Sequence, residues 1–192
     1  EPMSDAAFAE IFPLAHDNTP YRKIGSDGVT VEKFRGQDVV TVAASAITKL
    51  TAEAFRDLSH LLRPGHLKQL RAILDDPEAS SNDRFVALEL LKNANISAGF
   101  ILPMCQDTGT AIVMGKKGQQ IWVDGDESQA ISDGVAEAYQ KLNLRYSQMS
   151  PTSLFEEKNT GNNLPAQIDL FAVPGDTYKF MFMAKGGGSA NK

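Results

Sequence analysis

The sequence predicts an α+β domain, with a helical N-terminal half packed on a mixed, largely antiparallel sheet. Three observations carry that expectation. Between residues 46 and 97 the apolar side chains recur at steps of three and four, the period of one helix face. After Pro103 the apolar runs become short and several alternate with polar residues, as strands do. The connections through Lys116-Lys117 and Pro174-Gly175 are too short for crossovers, so the runs they join are expected to pair antiparallel.

The chain of 192 residues is long enough for one domain with a core that needs no staples. It is 42% hydrophobic and 22% charged, the balance of a soluble globular protein. A formal net charge of −5, with lysines and arginines scattered rather than striped, offers no field for nucleic acid. No apolar run is long enough to span a membrane, and no hydrophobic signal core opens the chain. A single free cysteine suits a reducing compartment. The expected location is therefore cytoplasmic, with the mitochondrial matrix as the alternative if a presequence has been removed.

Residues 1–20 read as an arm, with Phe8, Ile11, Phe12 and Leu14 scattered among Ala, Asp and Pro. Residues 21–192 read as one domain, without repeat, low-complexity tract or clear linker. Val29 to Phe34 alternates apolar and polar, and Val39 to Val42 returns as its hairpin partner after a turn at Gly36-Gln37-Asp38. Ile47, Leu50, Ala54, Leu58 and Leu61 then mark the buried face of a helix that Arg63-Pro64-Gly65 stops. A shorter helix carries Leu67, Leu70, Ile73 and Leu74. Ser80-Ser81-Asn82-Asp83 caps a third, apolar over so wide an arc that it is expected to be central.

Phe100-Ile101-Leu102-Pro103 reads as a short buried strand, and Thr110 to Met114 as another. Gly115-Lys116-Lys117-Gly118 is expected to be a turn leading to a strand at residues 120–123. Asp126 with Gln129 resembles a capping box for a helix burying Ile131, Val135, Ala138 and Leu142. Arg145, just past that helix, either favours the helix dipole or serves as a fork for a carboxylate; position alone leaves both open. Residues 166–171 and 178–184 are strands about Pro174-Gly175-Asp176, and the aromatics at 178, 180 and 182 share one face, expected to be core.

Between the two apolar runs stands Met104-Cys105-Gln106-Asp107-Thr108-Gly109. It holds the only cysteine, followed by a carboxamide, a carboxylate, a hydroxyl and a glycine. A buried filler thiol needs no such neighbours, so a functional loop is expected here. One cysteine forms no intrachain disulfide and no metal-binding pair. Nucleophile, redox thiol or one ligand of a larger set remain. A nucleophile would need His16, His60 or His66 as its base. The latter two flank a helix end and read as surface or capping histidines. The closing Lys185-Gly186-Gly187-Gly188-Ser189-Ala190-Asn191-Lys192 frees its backbone to approach an anion, although its order is wrong for a Walker loop.

Met104 to Thr110, Asn159-Thr160-Gly161 with Asn163 to Asp169, and Ala184 to Lys192 together resemble the class I, iron–sulfur dependent fumarate hydratases. Leu62-Arg63-Pro64, Asp76 to Ser80 and Asn143 to Ser147 extend the resemblance in order from about Arg22 onward. Any one string is weak, and the ordered set is specific. Tartrate dehydratase subunits share the cysteine loop and the glycine run, so they are the nearest alternative.

The resemblance implies a hydro-lyase that reversibly hydrates fumarate to (S)-malate, with a [4Fe-4S] cluster whose open iron acts as Lewis acid. It implies Cys105 as the first cluster ligand and Gln106 and Asp107 at substrate, with Asp107 also catalytic in proton transfer. Arg145 becomes a substrate arginine, while Gly188, Asn191 and Lys192 contribute to the same pocket. Further cluster cysteines of the family have no counterpart here, so residues 21–192 are expected to be the front portion of the cluster-binding domain. No cluster and no activity are expected of this chain alone. The expected partners are a small dicarboxylate, the missing C-terminal part of the same protein and a second subunit in a homodimer, with no nucleic acid and no membrane. Two other readings compete: a Cys105 thiol enzyme, and a non-catalytic interaction domain with an exposed apolar patch.

Overall fold

A computed structural model describes residues 19–104 and 109–185, so most of the expected arm lies outside the described residues. Among these, strands β1 (Val29–Phe34) and β2 (Gln37–Ala43) form the expected hairpin. Its turn falls one residue earlier than expected, on Arg35 and Gly36, whose φ values of 50° and 83° give the twist that a two-residue hairpin requires. Helix α1 (Ala44–His60) follows directly, then α2 (Pro64–Asp75) with proline at its start, where a missing N–H costs nothing. Helix α3 (Ser81–Ser97) opens on a reciprocal capping box between Ser80 and Asp83.

The second half contains β3 (Thr110–Gly118), β4 (Ile121–Asp124), α4 (Glu127–Lys141), the short β5 (Met149–Pro151) and β6 (Glu157–Asn159), then β7 (Gln167–Val173) and β8 (Tyr178–Lys185). The fold class is α+β, as expected. The strands form two three-stranded sheets, β1-β2-β4 and β7-β3-β8, and the small β5-β6 ribbon. Pairing is mixed: β1/β2, β3/β8 and β5/β6 are antiparallel, while β2/β4 and β3/β7 are parallel.

Two expected turns behave differently. Gly115-Lys116-Lys117-Gly118 is the second half of β3, not a hairpin tip, and β3 and β4 belong to different sheets. The glycines serve close packing: a Cβ on Gly115 would meet Leu170 Cδ2 at 2.7 Å, and one on Gly118 would overlap the Gly175 carbonyl. The Pro174-Gly175 turn does join β7 to β8, but β3 lies between them and both strands pair with it.

Three local expectations also need correction. Phe100, Ile101 and Leu102 are not a buried strand; they form an exposed turn, with Phe100 at φ 59°. Helix α3 is peripheral: only Ala87, Ala94 and Ser97 are buried, while Phe85, Val86, Leu88, Leu90 and Ile96 are exposed. His60 is not a surface residue but fully buried, its Nδ1 2.8 Å from the Arg56 carbonyl oxygen and its ring stacked on Phe100. The Arg56 guanidinium covers the other part of that arrangement, 4.5 Å from the Phe100 ring centre.

The core forms where α1 and α4 lie side by side over the sheets. Ile47 and Phe55 of α1 meet Ile131, Val135 and Tyr139 of α4, with Ala111 and Val113 of β3 beneath. The buried stripe of α1 is Ile47, Thr51, Phe55 and Ser59, turned from the expected one; Leu50, Ala54 and Leu58 flank it, half-buried. At Thr51 this follows from Gly134, which brings α4 against the Thr48 carbonyl and the Thr51 side chain. Asp126 caps α4 through the Gln129 N–H, but the Gln129 side chain turns to Asp133 instead of completing a capping box.

At the far end of β3, Lys117 pairs with Glu127, and Tyr178 Oη donates to Glu127 at 2.8 Å. Tyr178, Phe180 and Phe182 do share a face and stack in sequence against the core, as expected. Burial raises the Tyr178 pKa well above the ordinary phenol value, and the Glu127 carboxylate adds to the shift. The raised group favours the folded state below the ordinary phenol pKa, and that contribution is lost as pH rises toward the shifted value. In an alkaline absorbance titration Tyr178 is therefore expected to stay protonated well past the ordinary phenol range, so Tyr178→Phe should leave the absorbance change in that range unaltered. A folded Tyr178→Phe protein that loses part of the absorbance change in the ordinary phenol range contradicts this.

Candidate functional site

The segment containing Cys105, Gln106, Asp107 and Thr108 lies outside the described residues, but both its flanks are held. On the near side Met104 is buried, and its N–H donates to the Ser59 carbonyl at the end of α1 (2.9 Å). Ser97, at the end of α3, donates its hydroxyl to the neighbouring His60 carbonyl at 2.8 Å. On the far side the Gly109 carbonyl accepts from Asn163 Nδ2 at 2.7 Å and from the buried Tyr139 hydroxyl at 3.3 Å.

Asn163 organises this end of the molecule. It is fully buried, and its φ of 58° is one that asparagine tolerates better than most residues. Its Oδ1 accepts from the Ser147 and Gln148 N–H groups at 2.8 and 3.1 Å. Thr110 Oγ1 bonds Gln148 Oε1 at 3.1 Å, and Asn159 Nδ2 donates to the Tyr146 carbonyl at 2.9 Å. One buried carboxamide thus ties Gly109, at the end of the cysteine segment, to Ser147 and Gln148 and to the Asn159–Asn163 turn.

The fourth element arrives through the sheet. Thr110 and Lys185 are register partners, so the strand leaving the cysteine segment and the strand leading to the glycine run meet side by side. Arg145 is exposed and stands two residues before Ser147, so its backbone is at this same end. The side chains of Cys105, Gln106, Asp107, Gly188, Asn191 and Lys192 lie outside the described residues.

Asn163 and Tyr139 were not singled out from the sequence as site residues. In the sequence Asn163 entered only as the first residue of the Asn163 to Asp169 string; an asparagine two residues before Pro165 does not announce burial. Among the histidines, His66 is exposed on α2, His60 has Nδ1 committed to the Arg56 carbonyl, and His16 is outside the described residues.

A cavity of about 300 Å³ lies at the opposite end of β8, lined by Val42, Ile47, Ile121, Tyr178 and Phe180 among others. It is remote from the Thr110–Lys185 end. Among the described residues no group of three or more His, Cys, Asp or Glu side chains could hold a metal, and no helix is long and apolar enough to cross a membrane. The sequence supplies one cysteine, and a cubane cluster needs several thiolates, so this chain's residues alone do not make a complete ligand set.

Comparison with known proteins gives a consistent picture. The chain is 54% identical over 181 residues to the aerobic class I fumarate hydratase of Escherichia coli (strain K12), covering 94% of this chain and 33% of that protein. It is 55% identical over 181 residues to the mitochondrial fumarate hydratase 1 of Leishmania major, covering 93% of this chain and 33% of the relative. The similarity to the L(+)-tartrate dehydratase subunit alpha of Escherichia coli (strain K12) is more distant, 29% over 126 residues, covering 63% and 39%. The chain spans about a third of the length of the fumarate hydratases it matches. The model of the fumarate hydratase (fumerase) family matches residues 48–192, and the chain belongs to that family.

Proposed function

We propose that this chain is the front portion of a hydro-lyase that reversibly adds water to fumarate to give (S)-malate. The observation that carries the reading is the convergence of separate motif strings on one end of the fold. Gly109 and Thr110, residues 146–148, Asn163 and Lys185 are joined there by side-chain bonds and strand register. Strings so far apart in sequence have no local reason to meet. A shared site supplies one.

The roles follow from chemistry. Fumarate carries two carboxylates, and the planar Arg145 guanidinium can hold one through two parallel bonds. Gln106 orients substrate, and Asp107 holds or moves the proton exchanged with carbon. The glycine run with Gly188, Asn191 and Lys192 offers amides and a cation to the second carboxylate. Cys105 is one ligand of an iron–sulfur cluster, which when complete supplies a Lewis acid. The remaining ligands come from protein beyond this sequence, consistent with relatives three times as long. Fumarate is preferred to tartrate as substrate because the fumarate hydratases are much the closer relatives. We place the protein in the cytoplasm or mitochondrial matrix, and as a homodimer when full-length.

In the full-length protein the three residues are expected to fail differently. Cys105→Ala loses the cluster, read by iron content and visible absorbance, and all activity. Asp107→Asn keeps the cluster and lowers kcat by about 10²-fold or more. Arg145→Lys keeps the charge but loses the planar fork, so it mainly raises KM, with about 1.5–3 kcal/mol of the charged bonding at stake. Cys105→Ala with unchanged cluster content and turnover would reject the reading. Cluster loss alone, with activity retained, would instead favour a thiol-independent chemistry.

A further inference from the structure

The α2/α3 pair carries an apolar groove of about 460 Å³, lined by Leu61, Leu62, Leu67, Leu91, Ala94 and Ala98. Lys68 and Arg71 belong to its lining and supply positive charge; Arg71 also bonds Asp75 at 2.7 Å. We propose that this groove is the seat of the chain's own N-terminal segment, residues 1–18, with Phe8, Ile11 and Phe12 filling it.

The direction of the chain supports this occupant. Read backward from β1, a Cβ on Gly28 would touch Ala43 and Ala46, and one on Gly25 would touch Lys49. Arg22 then bonds Glu53 at 3.1 Å and Asp57 at 2.8 Å. The backbone therefore follows α1 from its beginning toward its end as it nears the N-terminal segment. Glu53, Asp57 and Leu61 are spaced four apart, on one stripe of α1 and its first residue beyond, and Leu61 is the first wall of the groove. Asp57 to Leu61 is a rise of about 6 Å.

Reach is ample: the eight residues from Leu14 to Arg22 span up to roughly 26 Å extended. Charge complements the apolar match. Residues 1–18 contain Glu1, Asp5, Glu10 and Asp17 and no lysine or arginine. A tethered segment also meets the groove at an effective concentration in the millimolar range, so modest contacts suffice.

The test places a photoreactive benzoylphenylalanine at position 12 of the intact protein and maps the adducts by mass spectrometry after irradiation. The expected result is an intramolecular adduct within residues 61–71 or 91–98. Its yield should fall at least fivefold in Lys68→Glu/Arg71→Glu and equally in Asp5→Lys/Glu10→Lys. The two double substitutions combined should recover the yield, which no loss of folding could produce. Adducts elsewhere on the chain, an intermolecular adduct showing a second copy in the groove, no adduct at all, or indifference to charge reversal each overturn the proposal.

Discussion

Asn163→Ala is expected to destabilise the protein by about 3–5 kcal/mol, because it strands three backbone groups on two other strings at once. The Ser147 and Gln148 N–H groups lose their acceptor, and the Gly109 carbonyl keeps only the longer bond from Tyr139. Alanine must also hold a φ of 58°, a conformation that costs about 1–2 kcal/mol in an L-residue. Asn163→Gly loses the same bonds without that strain, so it should recover up to about 1 kcal/mol of the loss. Urea unfolding of the three proteins separates the two contributions. A loss below about 1 kcal/mol for Asn163→Ala would mean that water takes the place of the carboxamide. In the full-length protein the same change should lower activity by letting residues 145–148 drift from Gly109, although Asn163 itself need not touch substrate.

Gly134→Ala is the second large effect, and its sign depends on which of two opposing terms wins. Alanine is better than glycine in a helix by about 0.8–1.0 kcal/mol. Its Cβ, however, would meet the Thr48 carbonyl oxygen and Thr51 Cβ, both at 2.6 Å. A carbonyl oxygen inside a helix cannot rotate away, so α4 must shift as a body. Overpacking of this kind costs about 1–3 kcal/mol, occasionally more. The shift would also strain the bond from Thr48 Oγ1 to the Ala130 carbonyl, now 3.0 Å. A net loss of about 1–2 kcal/mol lowers Tm by about 2–8 °C in a chain of this size. Gly134→Val, with two further methyl groups in the same contact, is expected not to fold at all. A raised Tm for Gly134→Ala would show that the two helices separate at little cost.

These two residues also mark where the sequence stops being legible. Four helices and the strands β1, β2, β3, β4, β7 and β8 announce themselves through period and caps, since those are local properties, while the short β5-β6 ribbon does not. Which side of a helix is buried is not local. The α1 stripe runs through Thr51 because Gly134 of a helix some eighty residues later approaches there. Gly115 and Gly118 resembled turn residues, yet they make room for Leu170 and Gly175. His60 at a helix end gave no sign that Phe100 and Arg56 would enclose it. The candidate site was legible as strings, from Cys105 to Lys192, because each departs from what a core or surface segment needs. Its joint, Asn163, was not, since burial of a turn-forming amide follows from which carbonyl it faces.

The placement of β3 between β7 and β8 has a consequence for the order in which the molecule can be made. Val113 has its strand partners in Ile168 and Phe182, so both edges of β3 wait for chain synthesised 55 and 69 residues later. At synthesis rates of about 5–20 residues per second, the second edge stays open for roughly 3–14 s. Until Ile168 appears, Ala111, Ile112 and Val113, all buried in the finished fold, belong to a strand with two free edges, and one edge stays free until Phe182 follows. Helices α1 and α4 can pair as soon as residue 141 has appeared, so the sheet that bears the site closes last on the nascent chain.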